Sequence, residues 1–172
     1  MSTLALLQQC RTIAVVGLSP DEGRDSHRIS RYMQAQGYRI IPINPRAQEI
    51  LGETAYPNLT AAAAHHPIDL VNCFRRSEDI PPIAREAAAV GAKGLWLQLG
   101  IQNDEAADWA RAQHLDVVQN CCIKVEHARL KSSGLLHQYS ASSRSSDGRD
   151  SPSDLPQSTY DSLCPPTKRH VP

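Results

Sequence analysis

The hydrophobic pattern of the chain contains five short apolar runs that are candidate strands. The run 12–16 consists largely of β-branched residues and lacks the polar alternation of a half-exposed strand. A continuous run of this kind is typical of a strand that is covered on both faces. Further runs follow at 39–43, at 69–74, at 94–99 and around Val117 and Val118. We therefore predict five strands.

Segments with helical spacing lie between these runs. Ile29, Tyr32 and Met33 share one face of a helix that Ser26 can cap and that Gly37 ends. Asparagine followed by two acidic residues predicts a second helix start, because acids suit the positive end of a helix. We predict the remaining helices at 4–9, at 61–65, at 77–90 and from Asn103 onward.

Strands that alternate with helices imply right-handed βαβ units and a parallel sheet. We predict an α/β fold, a Rossmann-like doubly wound parallel sheet of five strands in the order 3-2-1-4-5. In such sheets the ligand binds at the carboxyl ends of the strands, near the point where the strand order reverses. That rule selects the segments that follow each strand as candidate binding residues.

The composition of the chain changes near Leu130. Residues 131–172 are rich in serine, proline and charge, and they contain too few apolar residues to offset the entropy of ordering. We predict one domain at 1–130 and a disordered tail at 131–172.

Composition and charge exclude several classes of partner. Eighteen basic and eighteen acidic residues cancel, so the chain has no general attraction for nucleic acid or for an anionic membrane. The five cysteines are odd in number and lack paired spacing, which favours a reducing compartment over a disulfide framework. The first residues lack the basic region of a signal peptide, and no run approaches the roughly 20 apolar residues of a membrane span. These features predict a cytoplasmic protein.

The segments that follow the strands carry residues suited to phosphate. Gly17 permits a tight turn after the first strand, and the amides of that turn, with those of the helix start near Ser26, can form an anion site. Arginine suits phosphate because its planar fork can make two parallel bonds. The candidates from the residues alone are Gly17, Leu18, Ser19, Arg24, Ser26, Asn44, Pro45, Arg46, Phe74, Arg75, Arg76, Gly100 and Ile101.

The end of the second strand argues against NAD. An NAD site usually places an acidic residue there, about 20 positions after the glycine turn, to bind the ribose. Here the chain has Asn44 and Pro45, followed by Arg46. This suits a ligand with an additional ribose phosphate, which both NADP and coenzyme A (CoA) have. For several candidate binding residues a purely structural role remains open. Gly17 can simply form a turn, Ser26 can simply cap its helix, and Arg75 and Arg76 can be solvated surface residues.

Five segments in order resemble the single-domain CoA-binding proteins: VVGLS continuing to SHRISRYMQAQGYRIIPINP, then LGETAYPNL, DLVNCFRRSEDI, GAKGLWLQLGIQNDEAADWA and VVQNCCIKVEHARL. These are relatives of the CoA-binding domain of the succinyl-CoA synthetase alpha subunit. The resemblance runs from about residue 6 to 130. It implies a CoA-type Rossmann fold, with CoA or an acyl-CoA as the ligand. It also implies contacts from the turn at 17–19, from the strand end from Pro42 to Pro45, from segment 74–76, and from Gly100 and Ile101.

The resemblance also limits the expected activity. In the synthetases, phosphoryl transfer depends on a histidine in a second domain and on a partner subunit, and this chain shows no second domain. His127 lies just after the fifth strand and is not expected to act as a phosphohistidine. We predict a CoA-binding protein without catalysis of its own. The alternatives are an NADP-dependent oxidoreductase, an acyl-CoA ligase subunit that needs a partner, and an interaction protein with a vestigial site.

The cysteines do not predict a metal site. Cys121 and Cys122 are adjacent, which suits one tetrahedral site poorly, and no C-x-x-C motif occurs. We expect Cys10 and Cys73 to be buried small apolar residues. An alternative for Cys121 or Cys122 is a mixed disulfide with the CoA thiol, because both follow the fifth strand at the predicted ligand edge.

Overall fold

The computed structural model describes residues 2–136. Its strands are β1 (Thr12–Val16), β2 (Arg39–Ile43), β3 (Glu49–Ile50), β4 (Glu53–Thr54), β5 (Leu70–Cys73), β6 (Gly94–Leu97) and β7 (Asp116–Val118). Its helices are α1 (Thr3–Gln9), α2 (Asp25–Ala35), α3 (Leu59–Ala63), α4 (Ile80–Ala89), α5 (Asp104–Ala112) and α6 (Ile123–Ser132). A single 3₁₀ turn, Ser77–Asp79, precedes α4.

Five strands form one parallel sheet in the order β2-β1-β5-β6-β7, while β3 and β4 form a separate hairpin. The α/β class and the five-stranded parallel sheet are confirmed. The predicted order 3-2-1-4-5 is wrong, because the third main strand, β5, pairs with β1 and gives the order 2-1-3-4-5. Ile13 lies opposite Leu70, and Val16 lies opposite Cys73. This is the other common doubly wound order, and its switch point lies between β1 and the third main strand.

Two sets of hydrogen bonds explain why β5 joins β1 and not β2. The outer edge of β2 is covered near its end by Tyr56, whose carbonyl accepts from the Asn44 amide at 2.9 Å. Asp69, just before β5, accepts from the amides of Arg11 and Thr12 through one carboxylate oxygen, at 2.9 and 3.1 Å. The start of β5 is therefore fixed beside the start of β1.

The sheet is covered on both faces, as the apolar runs predict. One core contains Ile13 and Trp96 with α1, α2 and α6, and the other contains Val71 and Leu95 with α3, α4 and α5. Trp96 is fully buried, and its indole N–H donates to the Cys121 carbonyl at 2.8 Å. The two layers leave the carboxyl ends of the strands as the open edge of the domain.

Several predicted boundaries shift by a few residues. Helix α2 begins at Asp25 after Arg24, so Ser26 lies inside the helix and is not its cap. The predicted helix at 61–65 is α3, which begins earlier because Asn58 caps it. Gly37 follows α2 with φ +97°, and Asn103 caps α5, both as predicted.

The predicted start of the tail at residue 131 is too early. Helix α6, which the sequence pattern did not predict, continues to Ser132 and its Leu130 is buried. Leu136 is also buried in the core beside α1, α2 and α6. The rest of the predicted tail, 137–172, lies outside the described residues. Within residues 2–136, no helix is both long enough and apolar enough to cross a membrane.

We expect Asp69→Asn to lower the free energy of unfolding by about 1 to 3 kcal/mol at neutral pH. Burial alone would raise the pKa of Asp69, but the bonds from the Arg11 and Thr12 amides and from Lys93 together lower it below its ordinary value of 3.8. The stabilisation is therefore complete above about pH 3.8 and is lost as the pH falls through the lowered folded-state pKa. Denaturant titrations from pH 7 to pH 2 should show the two proteins converging in acid. A constant difference at every pH would contradict this assignment.

Candidate functional site: a cleft at the carboxyl edge of the sheet

A cleft of about 1140 Å³ opens at the carboxyl ends of β1, β2 and β5. Its walls come from the loop between β1 and α2, from the residues after β2, and from the first turns of α2, α3 and α4. This is the switch point of the observed strand order, where doubly wound sheets bind their ligands. The cleft is slightly larger than most small-molecule sites, whose volumes are about 300 to 1,000 Å³.

Gly17 forms the floor of the cleft, where two strands approach each other closely. Its φ is +84°, and a Cβ atom at this position would lie 2.6 Å from the Phe74 carbonyl oxygen. The Gly17 amide donates to the Ile43 carbonyl at 3.1 Å, and the Phe74 amide donates to the Val16 carbonyl at 2.9 Å. Only glycine fits here, for both conformational and steric reasons.

The turn after β1 is held in place by side chains from two other elements. The Asn44 side-chain amide donates to the Leu18 carbonyl at 3.0 Å, and its oxygen accepts from the Arg46 amide at 2.8 Å. Ser26 in α2 accepts from the Ser19 amide at 3.0 Å. Asn44 and Ser26, predicted as ligand contacts, therefore also fix the shape of the turn.

The first turn of α2 presents free amides to the cleft. Its N-cap, Arg24, makes no side-chain cap bond, whereas Asn58 caps α3 and Asn103 caps α5. Within residues 2–136, the amides of Asp25 and Ser26 donate to no acceptor, and the same holds for Leu18 in the turn. Free amides at a helix start, together with the helix dipole, suit an anion.

Three arginines line the cleft, and they differ in how far they are already paired. Arg75 lies 3.6 Å from the Asp79 carboxylate, and its stem packs over Gly17. Arg24 lies 3.9 Å from Asp21. Arg46 is exposed and forms no ion pair with any residue of the described chain. Arg46 is therefore the cleft arginine whose charge is most available.

Four acidic residues also line the cleft, and the sequence analysis missed them as site residues. They are Asp25, Glu78, Asp79 and Glu86. Asp79 and Glu86 share one face of α4 with Pro82 and Ile83, which also line the cleft. The spacing i, i+3, i+4, i+7 from Asp79 was the signal that could have revealed this wall.

The structure brings most of the predicted site residues together. Ten of them line the cleft: Gly17, Leu18, Ser19, Arg24, Ser26, Asn44, Pro45, Arg46, Phe74 and Arg75. Four do not. Pro42 lies buried within β2, and Arg76 points away with 73% of its side chain exposed, paired with Glu78 and Asp79. Gly100 and Ile101 follow β6, where the Gly100 amide donates to the Asn120 side chain at 2.8 Å.

Other candidate reactive groups lie outside the cleft lining. His127 of α6 is buried against Tyr32 of α2, and burial, followed by the charge of Lys131, lowers its pKa. Cys10 and Cys73 are buried as predicted, and burial raises the pKa of their thiols to about 11 and about 12. Cys122 is half-buried before α6. No group of three or more potential metal ligands occurs within the described part of the chain.

Comparisons with known proteins agree with this geometry. The model of the CoA binding domain family matches residues 11–128. The chain is 44% identical over 126 residues to the uncharacterized protein YneT of Bacillus subtilis. This alignment covers 73% of this chain and 92% of YneT. It is 36% identical to the solved structure of cell-free ID.343 from Thermus thermophilus, with a TM-score of 0.70 over 76% of this chain and 99% of that one.

A more distant structural neighbour shares only the fold. It is the dinucleotide-forming acetyl-coenzyme A synthetase 1 of Ca. Korarchaeum cryptofilum, solved with phosphate and ADP. The identity is 22% and the TM-score is 0.61, over 69% of this chain and 27% of that one. The family match covers the whole of the sheet and the cleft. The chain belongs to the CoA-binding domain family.

Proposed function

We propose that this protein binds CoA or an acyl-CoA in the cleft, with the diphosphate on the turn after β1 and on the first turn of α2. The observation that carries this proposal is the uncapped start of α2. Leu18, Asp25 and Ser26, whose amides are free, line the cleft together with Arg75. A helix start with free amides next to arginine is the arrangement that a diphosphate requires.

The end of β2 supports a ligand with a third phosphate. An NAD site would have a carboxylate there to bind the ribose hydroxyls. Here Asn44 is engaged by the turn, and the exposed, unpaired Arg46 lies beside it. CoA carries a phosphate on its ribose that NAD lacks, and we assign that phosphate to Arg46.

We propose that the protein performs no catalysis of its own on this ligand. Among residues 2–136, those that line the cleft include no histidine, cysteine, lysine or tyrosine. Its two serine hydroxyls each accept a backbone hydrogen bond, Ser26 from Ser19 and Ser19 from Asp21. Neither hydroxyl is bonded to a base that could activate it, which nucleophilic catalysis requires. An acyl-CoA incubated with the protein should therefore be recovered unchanged.

Calorimetry should show that CoA binds more tightly than NAD, by about tenfold or more, because one charge-assisted bond contributes roughly 1.5 to 3 kcal/mol. Dephospho-CoA serves as the control, since it keeps the diphosphate and loses only the ribose phosphate. Its affinity should fall between those of CoA and NAD. Equal affinity for CoA and NAD, or tighter binding of NAD, would count against the proposal.

A further inference from the structure

Glu86 is unusual among the four carboxylates of the cleft. Asp25 pairs with Arg28, Glu78 with Arg76, and Asp79 with both Arg75 and Arg76. Glu86 forms no ion pair within residues 2–136. An uncompensated negative charge therefore lines a cleft that we assign to a polyanion.

Hydrogen bonds fix one oxygen of this carboxylate. Glu86 Oε1 accepts from the Thr60 amide at 2.8 Å and from the Thr60 hydroxyl at 3.0 Å. Glu86 Oε2 accepts no hydrogen bond from any described residue. The start of α3 thus holds the Glu86 side chain, and the second carboxylate oxygen is free to accept a hydrogen bond. Glu86 is half-buried and lines the cleft.

The wall around Glu86 is mostly apolar. Pro82 and Ile83 precede it on the same face of α4, and Leu59 lies across from them at the start of α3. Pro57 and Ile43 complete this side of the cleft. Two other polar side chains on this side already have partners, because Asp79 pairs with two arginines and the Asn58 oxygen caps α3. Glu86 is therefore a fixed acceptor with a free oxygen on a mostly apolar side of the cleft. An apolar slot of this kind suits a flat ring that carries one donor.

We propose that Glu86 is a specificity-determining residue that accepts a hydrogen bond from the exocyclic amine of the adenine ring of the ligand. The inference rests on the proposed function, because it assumes that CoA occupies the cleft. A phosphate beside Glu86 would be repelled by its charge, whereas an amine can donate to the free oxygen. The carboxylate therefore directs the phosphates to the turn after β1 and the base to the slot between α3 and α4.

The test compares CoA with its analogue in which unsubstituted purine replaces adenine, so that only the amine is lost. For the natural chain, calorimetry should show roughly a ten- to hundredfold preference for CoA, the range expected for a bond to a charged acceptor. In Glu86→Gln this preference should disappear, because the side-chain oxygen can stay with Thr60 and the remaining group is a donor. Glu86→Gln should melt like the natural chain.

Two control variants separate recognition from structure. Thr60→Ala removes the hydroxyl bond to the carboxylate's other oxygen but keeps the backbone amide bond and the charge, so the preference for CoA should persist. Glu78→Gln removes a carboxylate at the cleft that already has an arginine partner, and it should also leave the preference intact.

Each outcome bears on the proposal. Equal binding of the two ligands by the natural chain, or an unchanged preference in Glu86→Gln, would overturn the role of Glu86 and leave CoA binding intact. Loss of the preference in Glu78→Gln alone would move the role to that residue. A natural chain that binds neither ligand would refute both this inference and the proposed function.

Discussion

Gly17→Ala should lower the free energy of unfolding by about 2 to 5 kcal/mol and weaken CoA binding by about a hundredfold. Alanine at φ +84° is strained, and its Cβ would lie 2.6 Å from the Phe74 carbonyl oxygen, a backbone atom at the end of β5. The contact cannot be relieved by a rotamer change, so the turn or the strand end must move. Either movement displaces the Leu18 amide from the place where the diphosphate is expected. Chemical denaturation and calorimetry measure the two effects.

Gly91→Ala is the matched control for this substitution. Gly91 also has a positive φ, +77°, but it ends α4 away from the cleft and its added Cβ would meet nothing within 4 Å. It should show only the conformational cost of about 1 to 2 kcal/mol and unchanged CoA affinity. If both variants lost similar stability and both bound CoA normally, the close approach of Gly17 to Phe74 would have no bearing on the site.

Arg75→Ala should weaken CoA binding by roughly ten- to hundredfold, because the guanidinium lies beside the turn and can make a charge-assisted bond to the diphosphate. Arg75 must leave Asp79 to do so, which places the expected loss nearer the lower figure. Arg76→Ala should bind CoA as the natural chain does, since Arg76 is not part of the cleft lining and pairs with Glu78 and Asp79. Two neighbouring arginines thus provide a test and its control.

Dephospho-CoA identifies which phosphate Arg75 contacts. If the partner is the diphosphate, Arg75→Ala should weaken CoA and dephospho-CoA by the same factor. A loss confined to CoA would instead assign the ribose phosphate to Arg75 and remove that role from Arg46. Natural affinity for both ligands in Arg75→Ala would show that this arginine is solvated surface.

Local pattern was sufficient to locate most elements and about half of the lining. Each strand run predicted the position of a strand, because a strand buried on both faces needs continuous apolar residues over several positions. Gly17, Asn44 and Phe74 were found by one rule, that residues after parallel strands meet at one edge. The same rule wrongly placed Gly100 in the cleft. The loop that contains Gly100 follows β6, which lies beyond the switch point, and its amide binds the Asn120 side chain.

The strand order could not be predicted in the same way. It depends on Asp69 binding the amides of Arg11 and Thr12, more than fifty positions away, and on Tyr56 covering the edge of β2. Such long-range bonds leave no periodic trace in the sequence. The same reason separates Arg75 from Arg76, which are indistinguishable as neighbours in the sequence although only Arg75 lines the cleft.

Residue type and spacing within one element were thus enough to predict the five main strands, the glycine turn and the lack of an acid after the second strand. Contacts between elements, which no local pattern reveals, settle which carboxylates face the cleft and which lack a cation. Glu86 lies on α4 and its partner Thr60 lies on α3, and no spacing rule connects two helices that meet only through packing. The charge balance of the site is for that reason a property of the fold and not of any single motif.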